Sequence, residues 1–125
     1  MSLSVDVFVV GDDGQVHVLD VPEGGSDLAG FERWRTSVWG NENVRSLGAS
    51  FFPVLASDDL RVPPHRVREF LTECALIRGN LDAVAPRTDP SKTHAEYVRQ
   101  IAQRLKNIEE AAERALGVAG GVLIW

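Results

Sequence analysis

From Val67 to Leu116, apolar residues recur every three or four positions. Val67, Phe70, Cys74, Ile77, Leu81 and Val84 carry the period before Pro86-Arg87-Thr88-Asp89-Pro90. Val98, Ile101, Leu105, Ile108 and Ala112 carry it afterwards. This spacing puts an apolar stripe along each of two amphipathic helices, and the short break folds them into antiparallel neighbours. Val62-Pro63-Pro64 opens the first, because proline costs nothing in a first helical turn; it is predicted from about Pro64 to Ala85. Gly79 is a soft spot within it, worth about 1 kcal/mol against Ala. The second helix starts either with Asp89 capping ahead of Pro90 or with Thr93 and Glu96 in a capping-box relation, and stops at Gly117.

The first half has a different period. Leu3, Val5, Val7 and Val9 share one face of a strand over residues 3–10. Gly11-Asp12-Asp13-Gly14 is a turn, and Gln15 to Val21 alternates as a returning antiparallel strand. Asp27 to Gly40 reads as a short helix capped by Ser26 or Asp27, with Phe31, Trp34 and Val38 on one face and Trp39 beside it. Val44, Leu47 and Ala49 place a short helical turn near Gly48. Phe51 to Ala56 is strongly apolar, but Pro53 lacks an N–H, which predicts an edge strand or buried extended segment. Leu60-Arg61-Val62 is a brief strand. Gly120-Gly121-Val122-Leu123-Ile124-Trp125 stays apolar to its last residue and is predicted to enter the sheet beside the hairpin. The resulting fold class is α+β: a small antiparallel or mixed sheet covered by helices, with a long antiparallel helix pair. One domain spans 1–125, sheet-rich over 1–62, a helical pair over 64–116 and a C-terminal strand over 121–125.

An apolar fraction of 44% in 125 residues supports a real core and argues against disorder. The single Cys excludes an internal disulfide. No apolar run reaches the length of a membrane span, and the start lacks the basic region of a signal peptide, so a cytoplasmic protein without membrane partners is expected. The net charge of −5 is uneven: ten acids and four bases over residues 1–62 give −6, eight acids and nine bases over 63–125 give +1. No basic stripe is present to meet phosphates, so nucleic acid is not an expected partner. Only Lys92 and Lys106 are lysines among thirteen bases, a bias that fits a high-GC bacterial coding sequence.

Chemistry-bearing residues are sparse. His17, His65 and His94 lie on different elements, and no HExxH, CxxC or histidine cluster supplies convergent metal ligands. Cys74 lies on the apolar stripe between Phe70 and Ile77, where a thiol packs as a small hydrophobe. Asp12-Asp13 and Asp58-Asp59 are adjacent pairs explained by turns. No nucleophile elbow, phosphate-binding loop or dinucleotide fingerprint occurs. No catalytic residue, cofactor or metal is therefore assigned.

Aromatic residues and charge carry the binding expectation. Trp39, beside Gly40-Asn41-Glu42, is the best candidate among the aromatics for exposure, the other reading being that it caps the sheet–helix interface. With Glu42, Asp58 and Asp59 it would form an acid-rimmed contact for a basic protein partner. Two other expectations stand beside it. One is a small enzyme or small-molecule binder with a cleft between sheet and helices and His17 or His65 at its rim. The other is a homodimer built through apolar surface around Phe51, Phe52 or Trp125.

The segment Leu60-Arg61-Val62-Pro63-Pro64-His65-Arg66-Val67-Arg68-Glu69-Phe70-Leu71-Thr72-Glu73-Cys74-Ala75-Leu76 resembles a pattern found in small uncharacterised bacterial proteins, some grouped with immunity proteins of polymorphic toxin systems. There, a proline-containing loop leads into a helix with a Leu-x-x-Glu-like step, which Phe70, Leu71 and Glu73 would occupy. Phe31-Glu32-Arg33-Trp34-Arg35 is loosely similar to their early helix. The resemblance implies a stoichiometric, non-catalytic partner protein that neutralises a toxin.

Overall fold

The computed structural model describes residues 1–87 and 91–125. Strand β1 (Ser2–Val10) turns through Gly11–Gly14 into β2 (Val16–Val18). Gly14 takes a positive φ of 78°, and the Asp13 carboxylate accepts from the Gln15 N–H at 3.0 Å, which is the expected turn chemistry. Strand β3 (Leu28–Phe31) comes next, then a single π-helical turn (Arg35–Trp39) and α1 (Glu42–Ser46). A 3₁₀ turn (Phe52–Ala56) leads to β4 (Leu60–Val62). A second 3₁₀ turn (Pro64–Arg66) opens α2 (Val67–Arg78); α3 (Leu81–Val84), α4 (His94–Gly117) and β5 (Gly121–Ile124) complete the chain.

All strand pairings are antiparallel, with β5 between β1 and β4. The α+β class and the C-terminal strand beside the hairpin are as the sequence predicts. Strands β2 and β3 share the other edge of β1, one at each end. Phe8 is thus opposite both Val18 and Gly121, and Leu3 is opposite Gly30. The helices lie on one face of the sheet, where Leu3, Val5, Val7, Leu60, Val62, Val122 and Ile124 join the helical stripes in one core cluster.

Helix α4 runs antiparallel to α2 and α3: Asp82 lies beside His94, while Arg78 reaches Glu109 and the Ala102 carbonyl. Thr93 caps α4 by accepting from the Glu96 N–H at 3.1 Å. The alternative cap, Asp89 with Pro90, lies outside the described residues. The helix runs one residue past the predicted Leu116, through Gly117.

Three local expectations are corrected. The helix predicted over Asp27–Gly40 is half strand. Gly30 has φ 118°, which an α-helix excludes, and a Cβ there would stand 2.4 Å from the Trp34 ring. The second half of the segment is a π-turn, whose i→i+5 hydrogen bonding stacks residue 39 near residue 34. Trp39 is therefore fully buried rather than exposed, 5.9 Å from Trp34 and 5.0 Å from Phe52, and its Nε1–H donates to the Ala29 carbonyl at 2.9 Å.

The segment Phe51–Ala56 is a 3₁₀ turn and not an extended strand. Pro53 is tolerated in its first turn, and the buried Glu73 carboxylate accepts from the N–H groups of Ser50, Phe51 and Phe52 at 2.5–3.1 Å. The predicted helix over 64–85 is broken at Gly79-Asn80, where Asn80 leaves helical geometry and its side-chain amide donates to the Leu76 carbonyl.

Candidate functional site

The four acidic and aromatic residues expected to form a contact are not assembled into one. Trp39 is inside the core. Asp59 is exposed but already engaged, accepting from Arg35 Nη2 at 2.6 Å. The same guanidinium donates to Glu32 and to the carbonyls of Leu55 and Asp58, tying the π-turn to the turn before β4. Burial works against the charge on Arg35, but the hydrogen bonds to Asp59 and Glu32 outweigh it and raise its pKa. The Asp58 side chain is exposed. Glu42 is exposed in the first turn of α1. Phe51 and Phe52, expected as leftover apolar surface, are buried against Phe70.

The histidines are also dispersed. His17 is exposed, its Nε2 3.8 Å from Asp13, and His65 is exposed beside Pro64. His94 faces Asp82 at 3.3 Å. Among the described residues no three His, Cys, Asp or Glu side chains converge as metal ligands. Cys74 is fully buried; desolvation, with Glu109 and Glu73 nearby, pushes its thiol pKa strongly upward, away from a nucleophilic thiolate.

Two surface features stand out, and neither derives from a motif. The first is the sheet face away from the helices. Strand alternation and register place Asp6, Phe8, Val10, Val16, Val18, Arg61 and Leu123 on it. Trp125 joins them, exchanging backbone hydrogen bonds with Ser4. Val10, Val16, Val18 and Trp125 are each about half exposed, from 42% to 51%. Phe8 is shielded: Gly121 opposite leaves room for its ring, and the Arg61 guanidinium lies 5.0 Å above it. The Trp125 indole N–H donates to Asp6 at 2.8 Å. Asp12 and Asp13 are exposed at the hairpin tip beside Val10.

The second is a cavity of about 320 Å³ where the chain leaves the edge of β1 between β2 and β3. Val7, Leu19, Val21, Pro22 and Val118 line it, with Asp20 and Arg114. It lies at a sheet edge against the end of α4, and neither His17 nor His65 lines it. The alternation of Val16 and Val18 was legible in the sequence, but it implied a covered valine face opposite an outward His17, and all three residues are exposed. Which face the helices leave bare, and that Arg114 reaches a strand edge far away in sequence, were not legible.

No family model matches the chain, and no curated protein or solved structure is significantly similar to it. Among the described residues no helix is long and apolar enough to cross a membrane.

Proposed function

We propose that this chain is a non-enzymatic protein-binding module that engages a basic partner through the open face of its sheet. The observation that carries the reading is the concentration of half-exposed apolar side chains, Val10, Val16, Val18 and Trp125, on the one sheet face no helix covers. Asp12 and Asp13 rim that patch, and the sheet-rich half holds the chain's acidic excess. An apolar centre with an acidic rim supports recognition of a protein surface with apolar residues among Lys and Arg. A toxin-neutralising immunity protein is one such module. Its support is the sequence pattern around Phe70-Leu71-x-Glu73, while the contact face proposed here lies on other residues.

Wild-type protein and a Val16→Ser/Val18→Ser variant are to be presented as baits to extract from the source cell, followed by salt titration of any complex with the isolated partner. The reading requires a stoichiometric basic partner that the variant loses by about tenfold or more in affinity. Asp12→Lys/Asp13→Lys should mainly slow association, because rim charges act on encounter. A partner held equally by wild type and both variants would sink the choice of face. Sedimentation showing dimers that the same Ser substitutions dissociate would replace it with self-association.

A further inference from the structure

We propose that the cavity between the Leu19–Pro22 strap, β1 and the end of α4 is a binding site for a small apolar monocarboxylate. Its carboxylate would be held by Arg114 and by the backbone N–H of Val7. The starting point is the broken pairing along β1. In a strand, the N–H and C=O of one residue point to the same side. The Val7 carbonyl accepts from the Leu19 N–H at 2.8 Å, so the Val7 N–H faces the same strap. The β1–β2 ladder stops at the Phe8–Val18 pair, and no hydrogen bond runs from that N–H to the strap, although Val7 is only 4% exposed. Buried backbone donors without partners are rare, and this one borders a cavity.

The second donor is Arg114. Its half-buried side chain lines the same cavity and makes no hydrogen bond or ion pair among the described residues. Arg35, Arg66 and Arg78 pair with carboxylates; Arg68 and Arg99 also lack such a pair but are exposed to solvent, whereas Arg114 is half-buried at the cavity. A guanidinium and an N–H together ask for an oxygen acceptor, and a planar carboxylate fits a guanidinium fork best. The remaining walls are mostly apolar, and about 320 Å³ is at the small end of ligand cavities, about 300–1,000 Å³. The body is therefore a short alkyl chain or one ring. Asp20 lines the cavity without pairing with Arg114, and it disfavours a second negative charge on the ligand.

The test is NMR titration of the full, isotope-labelled chain with hexanoate and phenylacetate, against hexanol and hexylamine. Both carboxylates are expected to move the Val7 amide and Arg114 Nε resonances saturably, with hexanol and hexylamine about tenfold or more weaker. Arg114→Gln should weaken hexanoate about tenfold and leave hexanol unchanged, Arg114→Lys should recover part of the loss, and Asp20→Asn should tighten hexanoate. Acetyl-Gly-Gly-Phe carries the same group on a longer chain and should bind more weakly than phenylacetate. Hexanol binding as tightly as hexanoate would overturn the proposal on wild-type protein alone, whatever the variants do. So would an absence of saturable shifts at Val7, or tighter binding by the peptide.

Discussion

Glu73 is buried, with both carboxylate oxygens accepting from three successive backbone N–H groups. It holds the first turn of the 3₁₀ segment that carries Phe52 and Leu55 into the core. Glu73→Gln keeps the shape but turns an amide donor toward backbone donors, and is expected to cost about 2 kcal/mol. Glu73→Ala leaves the donors unpaired and is expected to cost about 4 kcal/mol. Urea unfolding measures both, and losses below about 1 kcal/mol would remove this role. Cys74, one residue on, yields a pH signature. Its folded pKa is raised, chiefly by desolvation, so its contribution to stability is complete below the unfolded thiol pKa of about 8.5. Above that, the unfolded chain loses the proton and the folded chain keeps it, so stability should fall by up to about 1.4 kcal/mol per pH unit. Cys74→Ala should remove that thiol-dependent slope at some cost in stability at neutral pH, and native-state thiol labelling should be slow. An alkaline slope unchanged in the variant would assign it to other groups.

At the scale of elements, β5 shows why small residues can be structural. A Cβ on Gly120 would stand 2.3 Å from the Phe8 carbonyl oxygen, and one on Gly121 would stand 2.3 Å from the Val62 oxygen and 2.4 Å from the Phe8 ring. These glycines let β5 fit between β1 and β4 with Phe8 lying across it. Gly121→Ala is therefore expected to destabilise by about 1–3 kcal/mol, the usual range for overpacking, and to disturb the Phe8 ring resonances in NMR spectra. A variant as stable as wild type would mean that the strand shifts freely. Helix α4 and the apolar stripe of α2 were legible because period and capping are local: Thr93 caps α4 from within four residues of sequence, whereas the break at Gly79-Asn80 was not read. The 27–40 segment was not, because β3 is defined by pairing with β1 and the π-turn by packing of Trp34 and Trp39. Likewise, the fold of Phe51–Ala56 depends on a carboxylate 21 residues from Phe52.

Across the whole molecule, the described helices pack on one side of the sheet and leave the other without a helical cover, and the proposed contact arises from that asymmetry. Val16 and Val18 are exposed, so Val16→Ser/Val18→Ser should change stability by no more than about 0.5 kcal/mol per site. A thermal melt near that of wild type is the control that separates lost binding from lost folding; a melt lowered by much more would show these side chains belong to the core. The candidate site was only partly legible in the sequence. Acidity in the first half and apolar alternation in the hairpin were visible, but Trp39, the most conspicuous aromatic, is inside.

The α+β class, the hairpin turn, the Thr93 cap, the apolar stripes of the helices, the burial of Cys74 and the C-terminal strand could all be read along the chain. Each depends on period, turn chemistry or composition within a short window. Folding in three dimensions set which sheet face is covered, which aromatics are buried, that Asp59 pairs with Arg35, and that Arg114 and Val7 border one cavity. Those facts depend on contacts between residues far apart in the chain, and a one-dimensional pattern does not encode which distant partner arrives.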